Sequence, residues 1–329
     1  MAKEPEPEDI RPYQKGTDTI KQQVLSSVLS EHDLFLAQRE KRIELLRKME
    51  ELSTPAGRAG YLAFLSSEAM GASIGSDDIP AIGDALLSLG EVDELNLIIN
   101  SPGGDGTVAE KIIELCRAYC KTFRVAVPNR AKSAATIICL GADEIVMGYC
   151  SEIGPIDAQV AILVGGIPHF ISAQSFIDAR SGLEARFKEA VKKNEDPRAI
   201  LQQIAGLQVP FIDHCEKLME FSREVARKYL SDYMFRNIKP IKKKQAAIEG
   251  VLEGLSSVGR FKVHGRMIDG NAAKTKLNLN VRLLGKDDPL WKCLWEYYVR
   301  ADVQLSRTVG LAKIIETRNE ILMRSLRLQ

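Results

Sequence analysis

Two strand-to-helix junctions hold the residue types that acyl chemistry needs. The first reads Leu97-Ile98-Ile99-Asn100-Ser101-Pro102-Gly103-Gly104-Asp105, an apolar run that ends in a proline and two glycines. Glycines in such a turn adopt positive φ and point unblocked N–H groups at an incoming atom. The turn therefore reads either as an ordinary connection or as an anion or oxyanion site. At the second junction an apolar run over 123–127 and a loop over 128–132 lead to Ser133-Ala134-Ala135-Thr136, which opens a helix of small and apolar residues. A serine there lies beside free N–H groups. It reads as a simple N-cap or as a nucleophile. In the second case the amide after the serine and one from the neighbouring glycine turn would jointly hold a tetrahedral oxyanion.

Both junctions need a frame of strands to face each other. Runs over 61–65, 95–99, 123–127, 144–147 and 160–164 read as strands, several of them apolar at every position, as in parallel sheets covered on both faces. Segments 78–89, 108–119 and 133–140 between them have helical periodicity, giving a repeated βα unit. Beyond residue 170 the pattern is mainly helical, over 172–193, 198–205 and 211–235, followed by the basic run Lys242-Lys243-Lys244, which reads as a solvated face. A last amphipathic segment over 289–323 carries Trp291 and Trp295 on one helical face, as packing or oligomer contacts would be. Residues 18–52 have helical spacing too, and such an arm would either bind a partner or fold back on its own domain. Four regions follow: a flexible leader over 1–17, an N-terminal helical arm over 18–57, a catalytic core over 58–285 and a C-terminal amphipathic helical segment over 286–329.

Composition narrows the function classes. Lys plus Arg number 45 against 44 acidic residues, a net charge of +1, so no overall field draws nucleic acid or acidic lipid. No run approaches the roughly 20 apolar residues of a transmembrane helix. The opening MAKEPEPEDIRPYQ is charged and proline-bearing, unlike a signal peptide, so a cytoplasmic protein is expected. Six cysteines without CxxC spacing read as reduced core thiols, and no metal or cofactor is expected. The absence of GxxxxGK[ST] means that any ATP-driven unfolding would need a separate partner.

The runs INSPGGD, AKSAAT about 30 residues later, GADEIV and SEIGPIDAQV together resemble the Clp-protease/crotonase-fold superfamily. Within it they are most similar to the signal-peptide-peptidase-A-like and serine-dehydrogenase-proteinase branch. The likeness covers roughly 58–285 and closes on His264-Gly265-Arg266-Met267-Ile268, Ala272, Ala273 and Leu279-Asn280-Val281. It implies an α/β fold, a spiral of repeated ββα units, with helical N- and C-terminal extensions. It also implies Ser133 as nucleophile, oxyanion amides from Gly104 and Ala134, a turn shaped by Gly103, and a homo-oligomer whose subunits complete a peptide channel. Two departures stand out. Clp proteases carry a histidine about two dozen residues after the serine, where this chain reads Gly154-Pro155-Ile156-Asp157, and Ala134-Ala135 follow Ser133 where much of the branch has Gly-Gly.

Those departures leave the general base open. Lys132 adjoins Ser133 but points in another direction, so it reads as solvent-facing or structural. The Ser-Lys relatives place their lysine near the site of Pro168-His169-Phe170, which makes His169, at an expected helix entrance, the first candidate. Lys188 is the second, with an exposed lysine as the alternative, and His264 the third, because the resembling proteases bring an acidic triad member near this closing segment. His32 and His214 lie in charged helical stretches, and Asp157 either orients a base or closes a turn. The reading is a serine peptidase acting on peptides or unfolded proteins. Its rivals are a non-catalytic oligomeric scaffold and a crotonase-type acyl-CoA enzyme; the latter generally has glycine or an acidic group where Ser133 stands.

Overall fold

Residue 21 and residues 34–53, 57–69, 71–256 and 267–325 are described by the computed structural model; the leader, much of the arm, His32 and His264 lie outside these. The chain runs α1 (Leu34–Ser53), β1 (Ala59–Ser66), α2 (Asp78–Leu89), β2 (Val92–Asn100), α3 (Gly106–Ala118), β3 (Cys120–Val127), β4 (Arg130–Ala131), α4 (Ala134–Leu140), β5 (Glu144–Met147) and β6 (Glu152–Ile153). There follow β7 (Gln159–Val164), β8 (Ile167–Ser172), α5 (Ala173–Lys192), α6 (Arg198–Ala205), α7 (Val209–Tyr229) with a π-helical turn (Leu230–Met234), and α8 (Ile241–Ser256). Last come β9 (Ile268–Asp269), α9 (Gly270–Thr275), β10 (Val281–Leu283), α10 (Pro289–Arg307), β11 (Leu311–Glu316) and β12 (Ile321–Ser325).

The fold is mixed α/β. Its main sheet has the order β10-β5-β3-β2-β1-β11-β12, with β10, β5, β3, β2 and β1 parallel and β11 and β12 antiparallel. Side chains alternate across a strand, and both faces are covered. Leu95, Leu97 and Ile99 of β2 join a core under α2, α3, α4, α7 and α8, whereas Ile98 faces α1 and α10 with Tyr61, Ala63 and Leu65 of β1. Burial on both sides is why runs such as 61–65 and 97–99 put apolar residues on both faces of these strands.

The described helix of the N-terminal arm, α1, packs on the domain. Leu46 and Met49 are buried in the second core, and the Arg42 guanidinium donates to Glu316 at 2.6 Å and to Gln304 at 2.5 Å, with burial as complete as for the apolar residues around it. Trp291 sits over Gly148, where an added Cβ would come within 2.3 Å of its ring, and stacks on Trp295 at 5.7 Å.

Two expectations are corrected. The C-terminal segment is helical only to Arg307, and its last elements are strands of the main sheet. Thr308 leaves the helix with extended dihedrals and Gly310 turns at φ 76°, after which the β-branched Ile314 and Ile315 pair with β1. The run over 160–164 is a strand but not a parallel one: β7 pairs only with β8, in a separate antiparallel ribbon. Gly165 and Gly166, at φ 60° and 82°, form its two-residue turn, which suits the twist of a hairpin.

Candidate active site

The two junctions meet because their backbones are tied. Ser101 N donates to Arg130 O at 3.0 Å and Lys132 N donates to Ser101 O at 3.1 Å, so the glycine turn and the loop before Ser133 run side by side. Beyond them β4 pairs with β6, and β6 with β9. Gly103, at φ 106°, has no room for a side chain: a Cβ would lie 2.6 Å from Lys132 O and 2.7 Å from Ser133 Cβ. Close approach of the turn to the serine thus depends on glycine.

Gly104, at φ 147°, is packed from the other side by Ile74, whose carbonyl oxygen would meet a Cβ at 2.3 Å. Ile74 N donates to Gly103 O at 2.8 Å and Asp105 N to Ile74 O at 3.0 Å, while Gly103 N donates to Ser101 Oγ at 3.2 Å. These bonds use the amides on either side of Gly104 and leave its own outside the clamp, on an exposed residue. The Asp105 carboxylate then caps α3, accepting from Thr107 N and Oγ1 at 2.7 Å each.

Ser133 stands at the start of α4 with φ 50° and ψ −117° and makes no side-chain capping bond. For a non-glycine residue that conformation costs about 1–3 kcal/mol, and such strain persists only where the surroundings impose it. A simple N-cap has extended dihedrals and a hydroxyl that accepts from the second or third helical amide; Ser133 has neither. The Ala134 amide is in the first turn of α4, where no preceding helical carbonyl reaches it. Thr136 braces this turn: its hydroxyl donates to Ala131 O at 2.8 Å and accepts from Gly154 N at 3.1 Å.

A cleft of about 700 Å³ opens over Ser133, Ala134 and the glycine turn. Its apolar wall comes from Ile74, Ile137, Phe170, Leu218 and Phe221, with Gln159 of β7 and Ser222 of α7 as polar points. At the rim the Glu68 carboxylate pairs with Arg130. Below the loop, Asn129 Nδ2 donates to Tyr298 Oη at 2.9 Å, and burial pushes that phenol up to about 12, so it stays neutral.

Gly103, Gly104, Ser133 and Ala134 therefore come together, and of the candidate bases among the described residues neither His169 nor Lys188 joins them. His169 is on β8 rather than at a helix entrance; it is exposed, and neighbours along a strand point to opposite faces, so Phe170 rather than His169 reaches the cleft. The β7–β8 turn set the strand's register, which sequence proximity to α5 did not reveal. Lys188 is exposed on α5 outside the cleft, and His214 is exposed on α7. Lys132 is structural, paired with Glu152 at 2.7 Å. Asp157 and Ile156 are buried, and Ile156 N donates to the distant Leu255 O at 3.1 Å, which ties this segment to α8. His264 lies outside the described residues.

Sequence reasoning missed Ile74, which acts through its backbone, and the α7 wall. Leu218, Phe221 and Ser222 stand at i, i+3 and i+4, a face that helical periodicity could have singled out.

A sequence model of the family described as ClpP-like SDH-type serine proteinase matches residues 40–206, just over half of the chain. An uncharacterized protein of Methanocaldococcus jannaschii is 39% identical over 66 residues, which are 20% of this chain. The chain spans about a quarter (23%) of the length of the curated relatives it matches. Among solved structures, the ClpP protease catalytic domain of Plasmodium falciparum is 12% identical with a TM-score of 0.35, covering 66% of this chain and 83% of its own. A ClpP1 mutant from Listeria monocytogenes is also 12% identical with a TM-score of 0.35, covering 76% and 98%.

Proposed function

Because the chain belongs to the ClpP-like SDH-type serine proteinase family, we propose that it cleaves peptide bonds through an acyl-enzyme on Ser133. The carrying observation is the Ser133 backbone at φ 50° and ψ −117°, with a hydroxyl not spent on capping α4, beside a glycine turn in one cleft. Attack of Oγ on the scissile carbonyl carbon gives a tetrahedral oxyanion for the Gly104 and Ala134 amides. The base returns the hydroxyl proton to the leaving amine, then draws a proton from water as the ester is hydrolysed. The apolar wall of the cleft favours extended peptides or unfolded segments with apolar side chains.

The reaction needs a proton acceptor within reach of the Ser133 hydroxyl. Since His169 and Lys188 stand outside the cleft, we assign the role to His264 and test it by substitution. One observation favours a second reading, a non-catalytic scaffold: among the described residues no histidine or lysine lines the cleft. A fluorophosphonate probe separates the two. The catalytic reading expects one labelled serine, with labelling lost in a folded Ser133→Ala variant; an unlabelled native protein supports the scaffold.

Assembly into a homo-oligomer is part of the proposal. It is supported by the β7–β8 ribbon, whose Leu163, Ile167 and Phe170 are exposed beside the cleft. Light scattering should give a mass several times that of one chain; a monodisperse, active monomer would end this part. No helix among the described residues is long and apolar enough to cross a membrane.

A further inference from the structure

Lys313 lies on β11, more than 100 residues beyond the end of the family match at residue 206. Its ammonium is buried, with the side chain only 5% exposed, and reaches three acceptors: Asp78 Oδ1 at 2.8 Å, Asp78 Oδ2 at 2.7 Å and the backbone carbonyl of Ser73 at 2.6 Å. Asp78 is fully buried at the start of α2, and its carboxylate also accepts from Gly75 N at 2.9 Å and from Arg324 at 3.3 Å. One ion pair therefore fixes the residues on both sides of Ile74. Ile74 in turn is the clamp on the glycine turn, through Gly103 O and the Asp105 amide.

The strand is shaped to deliver this side chain. Pairing of β11 with β12 shifts register between Leu311 and Lys313. A bulge of this kind reverses which face the following residues take. Leu311 accordingly joins the core under α10, whereas Ile315 joins the core on the α2 face. A lysine buried at such a position is costly unless its partners are fixed, and here they are the Asp78 carboxylate and the carbonyl of Ser73, a residue that lines the cleft next to Ile74.

We propose that Lys313, with Asp78, is a positioning residue for the oxyanion turn: it holds the segment 73–75 against Gly103 and Gly104, so the Gly104 amide faces the cleft at a fixed height above Ser133. The proposal rests on the reading of Gly104 as an oxyanion donor, but its structural half does not, and the experiment separates them. Lys313→Met removes the donor, and Lys313→Met/Asp78→Asn also removes the charge left behind while keeping an acceptor for Gly75 N. In whichever variant melts cooperatively, the maximal rate of fluorophosphonate labelling should fall tenfold or more with little change in the probe concentration giving half-maximal rate. Amide exchange at Ile74 and Asp105 should accelerate by a similar factor, and Lys313→Arg should restore much of both.

Unchanged labelling with unchanged exchange in a folded variant overturns the proposal. Faster exchange with undiminished labelling overturns only the catalytic link. A native protein that is not labelled at all sinks the hydrolase reading, and exchange alone then decides whether Lys313 holds the clamp. If neither variant folds, native exchange decides: the Ile74 and Asp105 amides should open together with those of β11. Independent, easier opening there would count against the clamp.

Discussion

Substituting Gly104 by alanine tests the clamp and the oxyanion turn together. The new methyl would stand 2.3 Å from Ile74 O and 2.5 Å from Ile74 N, against the 3.5–4.0 Å of comfortable contact between heavy atoms. Ile74 must retreat by about 1 Å or more, which breaks its 2.8 Å and 3.0 Å bonds to the turn. Two backbone bonds at about 1 kcal/mol each, with about 1–3 kcal/mol for an alanine at φ 147°, give a loss of about 3–5 kcal/mol in stability. Loss of one oxyanion donor lowers the rate by about a hundredfold to a thousandfold. Gly75→Ala is the control, because its added methyl meets nothing closer than 3.9 Å. Urea unfolding and fluorophosphonate labelling, compared at a temperature where all three proteins are folded, supply the two readouts. A folded Gly104→Ala protein labelled within twofold of the native rate would refute the oxyanion assignment.

Three other outcomes are expected. His169→Ala and Lys188→Ala should label within about threefold of native, whereas His264→Ala should lose about a hundredfold or more, the scale of general-base catalysis; the reverse order would move the base to β8 or α5. Trp291→Ala should lower stability by about 3–5 kcal/mol in urea unfolding, since this fully enclosed indole fills the space over Gly148; a loss below about 1 kcal/mol would mean the second core collapses around the gap. Burial pushes the Cys120 thiol up to about 11, so about one in a thousand is thiolate at pH 8, and alkylation followed by mass spectrometry should find it slow until the pH nears 11; rapid modification at pH 8 would show an open site.

The sequence announced those parts of the fold whose cause is local or periodic. Strands β1, β2, β3 and β5 were legible because burial on both faces gives them short apolar runs, such as 61–65 and 97–99, and the glycine turn because close backbone packing leaves no room for side chains there. The ribbon was half legible: 160–164 looks extended, but its partner is decided by the Gly165-Gly166 turn, and with it the direction of His169. Strand β11 was hidden because Leu311, Ile314 and Ile315 also fit a helical period, and only pairing with β1 decides between the two. The clamp at Ile74 left no signal, since it is made by an N–H and a carbonyl that any residue would supply. The Ser133 strain was equally invisible, being a dihedral and not a residue type.

The pairing of β1 with β11 also bears on how the molecule is made. Ala63 lies opposite Glu316, so β1, already paired with β2 on its other side, receives its second neighbour only once residues 311–316 have been made. Until then one edge of β1, apolar over residues 61–65, is open, and long-range pairings of this sort are slow and prone to aggregation. The same delay withholds Lys313 from the segment beside the serine. On the proposed reading, a chain that has completed the two junctions but not β11 has the nucleophile without its brace, so labelling of Ser133 in chains truncated before residue 311 should be slow.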